Sequence, residues 1–109
     1  MVMSGPSALL AAVYERDNGR CRLCDKSLKL NARECRMNYV VPPEQGGPDE
    51  YFNLQLSCDS CDTERGQRSN AEYEEYLYAK NRKRWDAFRR AQGRQQTIVV
   101  GDAYSGPRT

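Results

Sequence analysis

Two identical Cys-x-x-Cys pairs constrain this chain more than any other feature. They are Cys21/Cys24 and Cys58/Cys61, with 33 residues between the pairs. Two residues between thiolates allow one turn to present both sulfurs to a single ion, and two such turns complete a tetrahedron. Thiolates favour Zn²⁺, so the spacing predicts a structural zinc site, with paired disulfides or an iron–sulfur cluster as alternatives. A site of four cysteines leaves no open position for a reacting water.

Composition explains why a metal would be needed. Leu, Ile, Val and Phe make up 17 of 109 residues, which is little for the core of one small domain. The sequence shows neither a membrane span nor a signal peptide, so we expect a cytoplasmic protein with reduced cysteines. Histidine is absent, which excludes any mechanism that requires an imidazole from this chain. The fifth cysteine, Cys35, is predicted to be a small buried residue, with a reactive thiol as the alternative.

The first two thirds of the chain predict short elements separated by turns. Residues 8–17 indicate a helix capped by Ser7 and ending near Gly19. Residues 34–41 indicate a strand, and a loop follows over 43–50. A second helix is predicted from about residue 58 to 68.

The last third predicts one long basic helix over 69–93. The pattern Ser69-x-x-Glu72 is a capping box, and Gly93 marks the predicted end. One face of this helix is predicted to pack on the core or a partner, and Tyr78 and Trp85 lie off that face. The packed residues are Tyr73, Leu77, Phe88 and Ala91. Residues 1–94 are predicted to form a single domain, with 95–109 as a tail that has one strand-like piece at 97–100.

Basic residues are concentrated in the segment 80–94, where the only acidic residue is Asp86. Such a segment suits a polyanion, so these side chains are candidates for nucleic-acid binding, with a merely solvated helix face as the alternative. The candidates are Lys80, Arg82, Lys83, Arg84, Arg89, Arg90 and Arg94.

The order of these motifs resembles the zinc-containing HNH (ββα-metal) endonucleases. The likeness covers about residues 13–68 and implies an α+β fold: a small zinc-stapled ββα unit with an N-terminal helix and the long C-terminal helix. The matching segments are Val13–Cys21, Cys24, Asn38–Pro42, Gly46-Gly47, Asn53-Leu54 and Cys58–Asp62.

The resemblance also implies where catalysis would occur, and there the sequence departs from the family. Family members carry an Asp-His pair, a cation ligand and a general base, where this chain has Asn38 and Tyr39. The second cation ligand, usually His or Asn, is Asp62, whereas the Asn that braces the catalytic loop is present as Asn53. A phenol with a pKa near 10 is about 0.1% ionised at pH 7, so Tyr39 is a poor base. No residue is therefore assigned as catalytic, and Asn38 with Asp62 is at most a weak Mg²⁺ or Mn²⁺ site.

These observations predict an HNH-like zinc protein without nuclease activity. Its function would be to bind DNA or a protein that processes DNA or RNA. One alternative is a divalent-metal-dependent endonuclease or nickase with an altered centre. The other is a protein-interaction factor, for example a phage-encoded one acting in the host cytoplasm.

Overall fold

The computed structural model describes residues 7–96, and their side chains as far as Gly93. The strand-like piece predicted at 97–100 and most of the tail therefore lie outside the described residues. Within that range the chain forms four α-helices, a two-stranded antiparallel sheet and two short 3₁₀ turns at Pro43–Gln45 and Tyr51–Asn53. No helix in the described part of the chain has the length and apolar content needed to cross a bilayer.

Helix α1, Ala8–Arg16, begins and ends close to the predicted positions. Ser7 Oγ accepts from the amide of Leu10 at 3.0 Å, which confirms the predicted cap. The residue after the helix, Asp17, is buried and accepts from the amide of Leu56 at 3.0 Å. This bond joins the end of α1 to the sheet. It therefore helps to position the turn that follows, which carries Cys21 and Cys24.

The sheet and the next helix form the ββα unit that the resemblance implied. Strand β1, Cys35–Tyr39, pairs with β2, Leu54–Cys58, so that Asn38 lies opposite Gln55. Helix α2, Asp59–Arg65, follows β2 directly, somewhat shorter than predicted. The α+β class is confirmed.

Strand β2 carries no clear signal of its own in the sequence. Gln55 and Ser57 are both fully buried, as is Leu56 between them. A strand buried on both faces loses the alternation of polar and apolar residues that marks a half-exposed one.

The prediction of a single long helix over 69–93 is wrong, because the structure has two helices there. Helix α3, Asn70–Lys80, carries the predicted capping box, and α4, Arg82–Gln96, runs through Gly93. The break is Asn81, which has an extended backbone (φ −155°, ψ 94°). In one straight helix Tyr73 and Phe88 would be about 22 Å apart. Here their ring centroids are 6.1 Å apart, because α4 folds back along α3.

The core lies between this helix pair, α1 and the sheet. The predicted packing residues of the C-terminal helices are confirmed as core: all four are at most 3% exposed. Three of them, Tyr73, Leu77 and Phe88, belong to one cluster with Val13, Leu23 and Leu56, which are fully buried. The cysteine pairs belong to the same cluster, so packing and metal site form one unit.

Candidate metal centre and HNH site

Three elements bring the four predicted metal ligands together. Cys21 and Cys24 lie in a tight turn after α1, Cys58 ends β2, and Cys61 lies in the first turn of α2. Their Sγ atoms all lie within 4.8 Å of one another, and Cys24 Sγ is 3.9 Å from Cys58 Sγ. Zn–S bonds of about 2.3 Å in a tetrahedron place the sulfurs about 3.8 Å apart. The cluster therefore fits a metal ion, as the donor chemistry also indicates.

Two of the sulfurs accept hydrogen bonds from nitrogen donors. Cys21 Sγ accepts from the amides of Leu23 and Cys58, both at 3.3 Å, and Cys61 Sγ accepts from Arg84 Nη2 at 3.2 Å. Hydrogen bonds among the four thiols lower the pKa values of Cys24 and Cys58 and raise those of Cys21 and Cys61, so the cluster without a metal keeps some of its protons. A bound cation would stabilise the thiolate forms.

Cys35 stays outside this cluster. It is buried at the start of β1, and its thiol donates to the carbonyl of Lys29 at 3.1 Å. This confirms the prediction of a small buried residue.

Asn38 and Asp62 face each other, Asn38 from β1 and Asp62 from α2. Asn38 Nδ2 donates to Asp62 Oδ1 at 2.7 Å and to Ser57 Oγ at 3.0 Å. Asn38 Oδ1 accepts from Gln55 Nε2 at 2.7 Å. Both hydrogens and the oxygen of the Asn38 side-chain amide therefore have hydrogen-bond partners within the protein.

Asn53 braces the loop between the strands. Its Nδ2 donates to the carbonyls of Val41 and Pro48, both at 2.9 Å, and its Oδ1 accepts from the Val41 amide at 3.0 Å. Gly47 lies against the same place, where a Cβ would come within 1.8 Å of the Val41 carbonyl oxygen. The loop thus depends on one buried amide and one residue without a side chain.

Comparison with protein families finds a likeness to this arrangement. The HNH endonuclease model matches residues 21–68, which contain both cysteine pairs, both strands and α2. Residues 21–68 are therefore similar to an HNH endonuclease domain. A search of curated proteins gives no match to the chain.

At the position where the resemblance implies a general base, the chain has a hydrogen-bonded phenol. Tyr39 donates from Oη to Asp49 Oδ1 at 2.9 Å. This bond to Asp49 raises the pKa of the Tyr39 phenol above its usual value, because the carboxylate disfavours a phenolate beside it. At neutral pH the group is therefore a hydrogen-bond donor.

The basic residues predicted to bind nucleic acid separate into two groups. Five are exposed on the C-terminal helix pair, outside the matched residues 21–68, namely Lys80, Arg82, Lys83, Arg89 and Arg90. Arg84 instead turns inward to the cysteine cluster. The side chain of Arg94 lies outside the described residues.

Sequence reasoning missed the polar residues behind Asn38. Gln55 and Asn70 form a reciprocal amide pair, with both bonds at 2.8 Å, and Arg65 Nη1 donates to Asn70 Oδ1 at 3.2 Å. All three are buried. A prediction of β2 and its register would have placed Gln55 opposite Asn38, but no pattern indicated Asn70. Arg65 also lines an open depression of about 500 Å³ together with Gly66, Gln67, Arg68 and Glu72.

Proposed function

We propose that this protein is an HNH-domain protein that binds nucleic acid without cleaving it. The observation that carries the proposal is the hydrogen bond from the Asn38 amide to Asp62. A divalent cation would need the oxygen of Asn38 on that side, because hard cations bind oxygen and not an amide NH₂ group. In this arrangement the NH₂ group takes the place of the cation.

The orientation of Asn38 follows from a chain of buried donors and acceptors. Arg65 can only donate, so Asn70 must turn its oxygen toward it. That choice orients Gln55, whose Nε2 then donates to Asn38 Oδ1. Turning Asn38 over would set two NH₂ groups against each other, leaving buried donors unpaired at a cost of about 1–3 kcal/mol each. We call Arg65, Asn70, Gln55 and Asn38 the amide relay.

Nucleic-acid binding is supported by the exposed basic residues of α3 and α4. Arg82 stacks over Tyr78, with its guanidinium carbon 3.8 Å from the ring centroid, and Arg89 lies 5.4 Å from that of Trp85. Tyr78 and Trp85 contact each other edge to face. Stacked guanidinium groups are held in place with hydrogen-bond donors left for phosphate oxygens. The aromatic residues therefore serve to orient arginines, and binding would show little preference for sequence.

A structural Zn²⁺ bound by Cys21, Cys24, Cys58 and Cys61 belongs to the same proposal. The chemistry it would supply is folding free energy, because a closed tetrathiolate site has no place for a substrate. The proposed binding function needs no further cofactor.

Plasmid nicking and gel shift of one preparation, in Mg²⁺, Mn²⁺ or EDTA, test the function. We expect the wild type to shift DNA in all three conditions and to nick in none. Replacing Arg82, Lys83 and Arg90 by Gln should weaken binding and reduce the salt slope by up to about three units. Lys26→Gln, Lys29→Gln and Arg33→Gln together remove the same charge from another exposed surface and should leave the slope nearly unchanged.

The double variant Asn38→Asp/Tyr39→His tests the catalytic part of the proposal. It restores a carboxylate ligand and a base with a pKa near 6.5, so we expect Mn²⁺-dependent nicking that also requires Asp62. Nicking by the wild type that Asp62→Ala abolishes would show that the protein is an endonuclease. A wild type that fails to shift DNA at moderate salt would favour a protein partner.

A further inference from the structure

Helix α4 contacts both cysteine pairs of the metal site. Arg84, near its start, donates to Cys61 Sγ at 3.2 Å. Gln92, two turns later, donates from Nε2 to the carbonyl of Arg22 at 2.9 Å, and Arg22 lies between Cys21 and Cys24. One helix thus touches the turn of the first pair and a sulfur of the second.

Arg84 is held in position by its other contacts. Its Nη2 also donates to Tyr73 Oη at 2.9 Å and lies 3.3 Å from Glu64 Oε1. Tyr73 is fully buried and donates in turn to Glu64. The guanidinium group is therefore fixed between α3, α2 and the sulfur of Cys61.

The charge of the metal site explains what this contact does. Four thiolates and a divalent ion leave a net charge of two minus at a largely buried position. A hydrogen bond from a guanidinium group offsets part of this charge and fixes the direction of the sulfur lone pairs. Of the seven basic residues predicted for nucleic acid, Arg84 is the one for which the structure shows such a contact.

We propose that Arg84 is a positioning residue of the metal centre and that α4 clamps both cysteine pairs around the ion. The proposal rests on the zinc site proposed above. It assigns Arg84 to metal retention and leaves the exposed basic residues of α4 to nucleic acid.

The rate at which the full-length protein releases zinc to an excess of a chromogenic chelator measures how firmly α4 holds the two cysteine pairs. We expect Arg84→Gln to release zinc about ten times faster than wild type, in line with the loss of a hydrogen bond to a metal ligand. Arg84→Lys should fall between the two, because a single ammonium group keeps the charge but not the fixed array of donors. Arg89→Gln, at an exposed ion pair on the same helix, should release zinc at the wild-type rate.

Cobalt substitution separates this role from a general loss of stability. Removing a hydrogen bond from a thiolate raises the energy of its lone pairs, so the sulfur-to-Co²⁺ charge-transfer band of Arg84→Gln should move to longer wavelength. The Arg89→Gln band should not move.

Should Arg84→Gln fail to fold, Gln92→Leu provides the test at the other end of the clamp, with a several-fold faster release of zinc expected. Wild-type release rates in zinc-loaded Arg84→Gln and Gln92→Leu would overturn the clamp while leaving the zinc site intact. A folded wild type without zinc would overturn the site itself.

Discussion

Gly46 and Gly47 are neighbours that need glycine for different reasons. Gly46 has φ +88°, but a Cβ there would meet nothing within 4 Å. At Gly47 the added carbon would overlap the Val41 carbonyl, which is main chain and is itself held by Asn53. Gly46 avoids the strain of a left-handed backbone, whereas Gly47 leaves room for the main chain of Val41.

Alanine at each position should separate these two effects. We expect Gly46→Ala to lower the free energy of unfolding by about 1 kcal/mol, the cost of a left-handed backbone for an L-residue. Gly47→Ala should cost about 3 kcal/mol, because the loop has to move away from Val41. Urea denaturation of both variants measures the difference. Equal losses would contradict the close approach.

The hydrogen bond between Tyr39 and Asp49 should make the stability of the protein depend on pH. The phenol donates to a carboxylate, so its pKa in the folded protein lies above the value near 10 of the unfolded chain. The stabilisation from this bond is therefore present below pH 10 and is lost as the pH rises through the folded pKa. Asp49→Asn should move the Tyr39 pKa back toward 10, as followed by carbon NMR of the tyrosine ring. The same titration in both proteins would exclude the bond.

At the scale of elements, Asn81 separates helix α3 from helix α4. Its Oδ1 accepts from the amide of Arg84 at 3.2 Å, so the residue that ends α3 also caps α4. The loss of this cap should make Asn81→Ala less stable by about 1 kcal/mol, whereas Asn81→Asp should stay within a few tenths of the wild type. Thermal unfolding of the two variants tests this. An Asn81→Ala variant as stable as Asn81→Asp would show that the break has another cause.

This break also shows how far the sequence could predict the elements. The capping signals at Ser7 and Ser69 are local, and both caps were predicted correctly. Asn81 gives no comparable signal, because a single Asn within a helical pattern is tolerated and its effect depends on what α4 can pack against. The decisive contact, Tyr73 against Phe88, exists only after the chain has folded back.

The candidate site was predictable to a similar degree. The cysteine spacing is a property of the chain, and the structure brings those four residues together as expected. The bonds within the amide relay are properties of the assembled fold, because they join β1, β2 and the ends of two helices. For the same reason the sequence grouped Arg84 with its exposed neighbours, although its guanidinium group points inward.

At the scale of the whole molecule, stability should depend on the metal. The hydrophobic core is small and shares its residues with the cysteine cluster. We expect one zinc per chain by elemental analysis, and Cys58→Ser should unfold the protein because most of the folding free energy is lost with the ion. Cys35→Ser, the matched control, should remain folded with a full zinc content. A folded Cys58→Ser protein would refute this dependence.

The separation of the two cysteine pairs in the sequence has a consequence for synthesis on the ribosome. Cys61 is translated 37 residues after Cys24, which takes about 2–7 s at 5–20 residues per second. During that time the emerged pair can offer an ion only two sulfurs, and Arg84 follows more than twenty residues later still. We therefore expect a nascent chain to hold a metal ion only in an open, exchangeable form before the site closes. We expect the metal content of the protein to depend on the supply of free ion during those seconds as well as on the affinity of the finished site.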